Sequence, residues 1–235
     1  MIDFIEIYSN DFLKIVEDKN KSIFKLEICY SNPILINSLI KTKIIQGATA
    51  TEDYKIVKFK AGTVKTFKQF QETRENKKLT INEIFTLIQN LTIQLNYLIT
   101  NENSTIIGYS PENIIVINDS KFAFLGSEYI TEIDHEHALI SYPFTTKDFF
   151  ISPEILKIKE IPSYIHYKTS YFSLACFVLY ALDFENEFYS EYINNKSSDK
   201  ILDCFKFHTI KNTKIYPLLS RCLLEEPKNR SILLI

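Results

Sequence analysis

Apolar and polar residues alternate through the first third of the chain, and the spacing becomes helical after residue 80. Phe4–Tyr8, Phe12–Glu17 and Ile23–Tyr30 each follow the period-two pattern of a half-buried strand. Ser9-Asn10-Asp11 and Asp18-Lys19-Asn20-Lys21 supply the turns between them. Pro33–Ile40 predicts a short helix started by Pro33, and Lys43–Gln46 and Tyr54–Phe59 predict two further strands. Thr80 and Glu83 then form a capping box. Behind it Ile81, Ile84, Phe85, Ile88, Leu91, Leu95 and Leu98 fall on one stripe, which predicts a helix ending near residues 100–103. Ile114–Ile117 and Lys121–Leu125 predict a hairpin about Asn118-Asp119-Ser120. Residues 126–152 show little periodicity and are expected to form a long surface loop. Tyr171–Leu182 is apolar nearly all round, which predicts a helix buried on every side, and Tyr216–Leu224 fits an amphipathic helix.

Composition narrows the classes that this pattern allows. A chain of 235 residues, 46% of them hydrophobic, can bury a full core as one large domain or two small lobes. A net charge of −2 excludes a general polyanion binder, though not a local basic patch. No window reaches about eighteen uninterrupted apolar residues, so no membrane span is expected. Met1-Ile2-Asp3-Phe4-Ile5-Glu6 lacks the basic-then-apolar layout of a secretion signal. Cys29, Cys176, Cys204 and Cys222 are scattered and form no Cys-x-x-Cys pair, so buried thiols in a reducing, intracellular compartment are expected. Only four glycines occur, and none precedes Gly47.

Five motifs in order give the pattern a resemblance. Tyr54–Gly62 closes the strand-rich region and leads toward the capped helix; Pro111-Glu112-Asn113 precedes the hairpin. Ser152-Pro153-Glu154 follows, and Ser173-Leu174-Ala175-Cys176 lies in the apolar helix, with Glu226-Pro227-Lys228-Asn229-Arg230 near the end. Together these resemble a eukaryotic-type protein kinase domain from roughly residue 12 onward, with its Pro-Glu-Asn, Ala-Pro-Glu, Ser-Leu-Gly-Cys and Asp-Pro-x-x-Arg signatures. The resemblance implies an α+β, two-lobed protein-kinase-like fold: a trimmed, mostly-β N-lobe over 1–60 and a mainly α-helical C-lobe over 61–235, its last helix cut short. It also implies that Glu154 and Arg230 form a buried pair. Removing one partner of such a pair leaves an uncompensated charge, costing ~3–5 kcal/mol.

The same resemblance exposes what is missing. Phosphoryl transfer is positioning plus charge neutralisation around ATP and Mg²⁺. Gly108 stands at the general-base position, and a base contributes typically ~10²–10⁴-fold in rate. Ile107 replaces the arginine that reads activation-loop phosphate, Ser110 the loop lysine, and Gly126 the metal-holding aspartate. Lys147 stands at the substrate-proximal threonine and Ser170 at the aspartate that braces the catalytic loop. No glycine-rich loop precedes Gly47. Lys25, in Ser22-Ile23-Phe24-Lys25, matches the phosphate-pairing lysine, yet no Asp or Glu lies between Ile28 and Thr51 to pair with it; its other reading is an exposed strand lysine. Asn113 remains as a vestigial metal ligand, and one neutral amide is a poor Mg²⁺ site. Pro111 and Asn113 are expected instead to shape the turn into the hairpin.

The expectation is therefore a pseudokinase with no cofactor, acting on another protein, such as a kinase or its substrate, as scaffold, decoy or allosteric partner. Two alternatives stand beside it. A divergent Ser/Thr kinase would use Glu128 or Asp119 as a relocated acid, with ATP and Mg²⁺ bound through Lys25 and Asn113. A nucleic-acid module would use residues 41–78, where ten Lys and Arg face four Asp and Glu; Lys55, Lys58, Lys60, Lys65 and Lys68 stand among Phe59, Phe67 and Phe70. Those lysines also suit a solvent face and an electrostatic docking surface. Asp134-His135-Glu136-His137 superficially suggests metal ligands but reads as a solvated loop tip in an acidic run, Glu128 to Glu136.

Overall fold

A computed structural model describes residues 4–18, 22–143, 150–182 and 209–232. In chain order the first elements are β1 (Phe4–Ser9), β2 (Leu13–Asp18), β3 (Ile23–Ile28), α1 (Pro33–Lys41), β4 (Gln46–Ala50), β5 (Ile56–Lys60), β6 (Val64–Thr66), α2 (Phe67–Glu72) and α3 (Ile81–Asn101). There follow β7 (Ser104–Ile106), β8 (Gly108–Tyr109), β9 (Ile114–Ile117), β10 (Lys121–Phe124), β11 (Ile130–Asp134), β12 (His137–Ile140) and β13 (Phe150–Ile151). The last are α4 (Pro153–Leu156), β14 (Ser163–His166), α5 (Thr169–Leu182) and α6 (Ile215–Cys222). The architecture is α+β, with antiparallel sheets. Two compact units divide the chain. One holds Met1–Lys77, Thr86–Glu102 and Pro111–Glu128, and the other Lys78–Phe85, Asn103–Ser110 and Tyr129–Ile235.

The first unit is built on a five-stranded sheet in the order β1-β2-β3-β5-β4. Its alternating strands bury Leu13, Ile15, Phe24, Leu26, Val57 and Phe59, and the directly opposed Phe24 and Phe59 stack with ring centres 5.7 Å apart. Asn32 caps α1 by accepting from the Leu35 N–H at 2.9 Å, and Pro33 occupies the first turn, where its missing N–H costs nothing. Leu35, Ile36 and Leu39 of that helix are buried, each worth about 1.5–3 kcal/mol of burial. A second sheet, β10-β9-β6, carries the hairpin. Asn90 and Gln94, one turn apart on α3, accept from the N–H groups of Phe122 and Phe124, each at 2.9 Å. Gln94 also donates to the Phe124 carbonyl and the Ser38 hydroxyl, both at 3.0 Å. Two side-chain amides thus cover the free edge of β10 and fix the approach to Gly126.

The second unit contains the sheet β14-β12-β11-β7 and the pair β13-β8. Its centre is α5, in which every residue except Tyr180 is buried, as an all-round apolar helix requires. Tyr109 of β8 stacks on Phe177 of α5 at 6.1 Å. On α6, Ile215, Leu218, Leu219 and Cys222 form the buried stripe.

Several elements depart from the sequence pattern. The strand expected at Lys43–Gln46 lies at Gln46–Ala50, because the apolar pair Ile44 and Ile45 is buried in the turn before it. The strand itself is polar and exposed and begins at a bulge where Gly47 adopts φ +58°. The loop expected over 126–152 contains β11, β12 and β13, with Ile133 opposite Ala138 in a tight hairpin. β11 was hidden by its half-exposed composition, Ile130-Thr131-Glu132-Ile133-Asp134. β6, β7 and β14 are three or four residues long, too short for a periodic signal. Thr66 and Gln69 form a full capping box that starts α2. Cys29 is exposed, contrary to the expectation of a buried thiol; Cys176 and Cys222 are buried, and burial pushes both thiols up, Cys222 to about 12. Cys204 and Lys147 lie outside the described residues, as does most of the turn at 18–21.

Candidate functional site

Within the first unit, the Pro-Glu-Asn segment forms a short 3-10 turn, Pro111–Asn113, that leads directly into β9. Asn113 is buried, and its carbonyl accepts from the Leu125 N–H at 2.8 Å, tying the start of the hairpin to its end. Its side chain packs on Gly126. A Cβ added at Gly126 would stand 2.5 Å from Asn113 Nδ2 and 2.7 Å from Phe124 Cζ, closer than real side chains approach. Here the glycine is required by close approach. A side chain at the position that resembles a metal-holding aspartate would have to displace the Asn113 amide and the Phe124 ring.

Glu128 follows in a second 3-10 turn, Ser127–Tyr129. Asn113 Nδ2 points to Glu128 Oε1 at 3.4 Å, a long contact. Glu128 is exposed over much of its surface, yet the protein crowding its carboxyl raises its pKa, against weaker opposing hydrogen bonds from its backbone, Asn113 and Ser127. The sequence offered Glu128 and Asp119 as relocated acids, and the fold brings only Glu128 to Asn113. Asp119 sits in the hairpin turn and binds Lys65 Nζ at 2.8 and 3.0 Å.

Above the same turn lie two residues that sequence reasoning did not single out. The pairing of β1 with β2 slips between Glu6 and Tyr8, a bulge that re-aims Tyr8. Tyr8 is 7% exposed; its hydroxyl donates to the Glu112 carbonyl and accepts from Asn10 Nδ2 at 3.0 Å. Burial, opposed by the Asn10 hydrogen bond, pushes the Tyr8 phenol up to about 12. Asn10 Oδ1 accepts from the N–H groups of Phe12 and Leu13 at 2.9 and 2.8 Å. A β1–β2 turn that cradled a phosphate would offer its backbone N–H groups to the anion. Here two of them are already held by a side chain of the same turn. The available signal was Asn10 followed by Phe12-Leu13, an Asx-turn pattern.

Lys25 lies on the outer face of the five-stranded sheet, opposite Lys58, and pairs with Glu27 of its own strand at 2.6 Å. Among the described residues no helix carboxylate pairs with it, and its side chain is half-buried and not exposed as a plain strand lysine would be. Lys55, Lys58, Lys60 and Lys68 are exposed, but Lys65 is tied to Asp119, so the basic stretch is partly neutralised.

In the second unit, Gly108 is a buried strand residue paired with Ile151, and Ser110 is fully buried. Ser170, which stands where the resemblance would place a bracing aspartate, makes only a local contact, and the serine three residues further along α5 reaches the Ile107 backbone. Ser170 Oγ donates to the Tyr167 carbonyl at 3.0 Å, and Ser173 Oγ reaches the Ile107 carbonyl at 3.2 Å. Glu154 and Arg230 form a two-pronged ion pair, Nη1 to Oε1 and Nη2 to Oε2, the latter at 3.1 Å. Arg230 is wholly buried, and its remaining donors reach the carbonyls of Leu224 and Glu225 at 2.7 and 3.0 Å, with its guanidinium 4.9 Å over the Phe172 ring. Asp134 and His137 face each other at the mouth of the β11–β12 hairpin, with His135 exposed in its turn. Among the described residues no three His, Cys, Asp or Glu side chains converge as a metal site would require. Among them, too, no helix is long and apolar enough to cross a membrane. Comparison with protein-family models and with curated proteins finds no match to this chain.

Proposed function

We propose that this chain is a catalytically inactive, protein-kinase-like module that works inside the cell by binding another protein. The observation that carries the reading is the closed Tyr8–Asn113–Gly126 seam: Asn113 fills the space a residue-126 carboxylate would need. Tyr8 is bound to the Glu112 carbonyl, and Asn10 holds the turn amides that a phosphate would use. Phosphoryl transfer depends on those elements acting together. The two-lobed kinase-like fold is part of this proposal. It is supported by the order of elements, in which a five-stranded antiparallel sheet with one helix precedes a capped helix, a hairpin and a buried helix. The doubly bonded Glu154–Arg230 pair supports it independently.

The deciding experiment measures thermal stability with and without Mg²⁺-ATP beside a phosphotransfer assay. The expected result is no thermal shift and no turnover, in the parent chain and in Asn113→Ala alike. A second reading, a divergent kinase with Glu128 as relocated acid, is favoured by the approach of Glu128 to Asn113. It requires Mg²⁺-dependent turnover that both Glu128→Gln and Asn113→Ala abolish.

A further inference from the structure

Two sheets of this protein end in short strands, and they treat their free edges differently. β10 has the N–H groups of Phe122 and Phe124 covered by Asn90 and Gln94. β14 pairs only with β12, through Ser163–Ile140, Tyr164–Leu139, Ile165–Ala138 and His166–His137. In an antiparallel pair, alternate residues turn their N–H and C=O groups away from the neighbour. On β14 those outward groups make no hydrogen bond to any described residue. The strand lacks a bulge, a lysine and an inward charge, and its guards are its length of four residues and Pro162 directly before it.

An open groove of about 650 Å³ runs beside this edge. Its walls include Ile158, Pro162 and Ile165, and Tyr164, which is 61% exposed; Ile161 next to it is 44% exposed. Lys157 and Lys159 also line it and make no ion pair among the described residues. Of the described carboxylates there, Glu154 is held by Arg230, which leaves Glu160. Among the described residues the groove therefore combines outward backbone groups without partners, apolar walls and two lysines against one unengaged acid.

We propose that β14 and the groove beside it bind an extended, acidic segment of a partner protein, which adds as a strand to the β14 edge and sets its carboxylates against Lys157 and Lys159. Main-chain ladder bonds would supply affinity, while the lysines and Tyr164 would select the sequence. A second copy of this chain pairing through the same edge would bring Lys157 and Lys159 toward their own equivalents, which like-charge repulsion opposes. The proposal rests on the reading above only in taking a protein as the ligand.

The test uses the full chain and a fluorescein-labelled, end-capped peptide, Thr-Val-Glu-Val-Glu-Val-Thr, followed by anisotropy. Saturable binding is expected, weakened roughly tenfold or more by the double variant Lys157→Glu/Lys159→Glu and by replacing the peptide's glutamates with lysine. Methylating alternate peptide nitrogens should abolish binding, because the ladder then lacks its donors. Both lysines are exposed, so the variant's melting curve should overlay the parent's. The proposal is overturned if the parent does not bind, if the methylated peptide binds equally, or if the charge-reversed variant binds equally. A concentration-dependent dimer in sedimentation that the same variant alters would assign the edge to a second copy and overturn it as well. Phosphotransfer activity, if found, would refute the inactive reading and leave the peptide result standing, so the two failures are distinguishable.

Discussion

In the second unit a guanidinium and a carboxylate are paired as opposed charges, with Arg230 wholly buried and each of its three guanidinium nitrogens hydrogen-bonded. In the first unit, the segment resembling a catalytic centre is held by a phenol, two amides and a glycine, with Glu128 at its margin. The first assembly is costly to break from either side, because each partner's charge depends on the other. The second is an ordinary packed polar seam, with each hydrogen bond worth about 1 kcal/mol. A paired charge ties the backbone together in the second unit, whereas uncharged groups hold the seam in the first.

The contrast is broken most severely at Arg230. Arg230→Ala should cost about 3–5 kcal/mol in denaturant unfolding, because it strands Glu154 and the Leu224 and Glu225 carbonyls. Arg230→Met combined with Glu154→Leu should recover most of that loss; an equally unstable double variant would show that the cost lies in packing and not in charge. Next in size is Gly126→Asp. Introducing a carboxylate there should destabilise by about 1–3 kcal/mol through overpacking against Asn113 and Phe124. It should produce no Mg²⁺-dependent thermal shift, whereas a stabilised, metal-responsive variant would mean that the seam opens easily.

Tyr8→Phe removes the hydroxyl between Glu112 and Asn10 and should cost about 1 kcal/mol at neutral pH. The phenol's folded pKa of about 12 lies above its ordinary 10.0, so the folded state holds the proton more tightly. Its stabilising contribution is fully present below pH 10 and lost as pH rises through 12, a decline that Tyr8→Phe should remove from the pH profile of unfolding. The smallest effect concerns Glu128, whose pKa is raised above 4.5 by the protein around it. Its contribution is present below that value and lost at higher pH, so Glu128→Gln should gain in melting temperature relative to the parent between pH 4 and neutrality. A constant difference across that range would remove any role for the carboxyl's surroundings.

Legibility differed between the same two regions. The bidentate Glu154–Arg230 tie was readable from two motifs far apart in the chain, because a recurrent pair carries its identity in the residues themselves. The seam was only half readable. The missing acids at Gly108 and Gly126 were visible as letters, but Tyr8 and Asn10 were not, since their importance comes from a bulge and from a contact across 104 residues. The Ser173 contact with the Ile107 carbonyl illustrates the same limit, because which serine of α5 reaches that backbone is set by helical phase and by packing.

Periodicity, caps and turn residues determined β1 to β3, α1, β5, α3, the β9–β10 hairpin and α5, all of which are local patterns with strong burial contrast. The absence of early glycines and of acids at two positions also belonged to the sequence alone. Tertiary structure decided the short strands β7, β8, β13 and β14, whose pairing comes from distant partners and not from local period. It decided that Asn113 packs beside Gly126, that β10's edge is covered, and that β14 pairs with β12 alone among the described residues. Such facts depend on which atoms meet across long chain separations. A one-dimensional pattern can mark a residue as buried or exposed, but it does not name the neighbour that makes the burial matter.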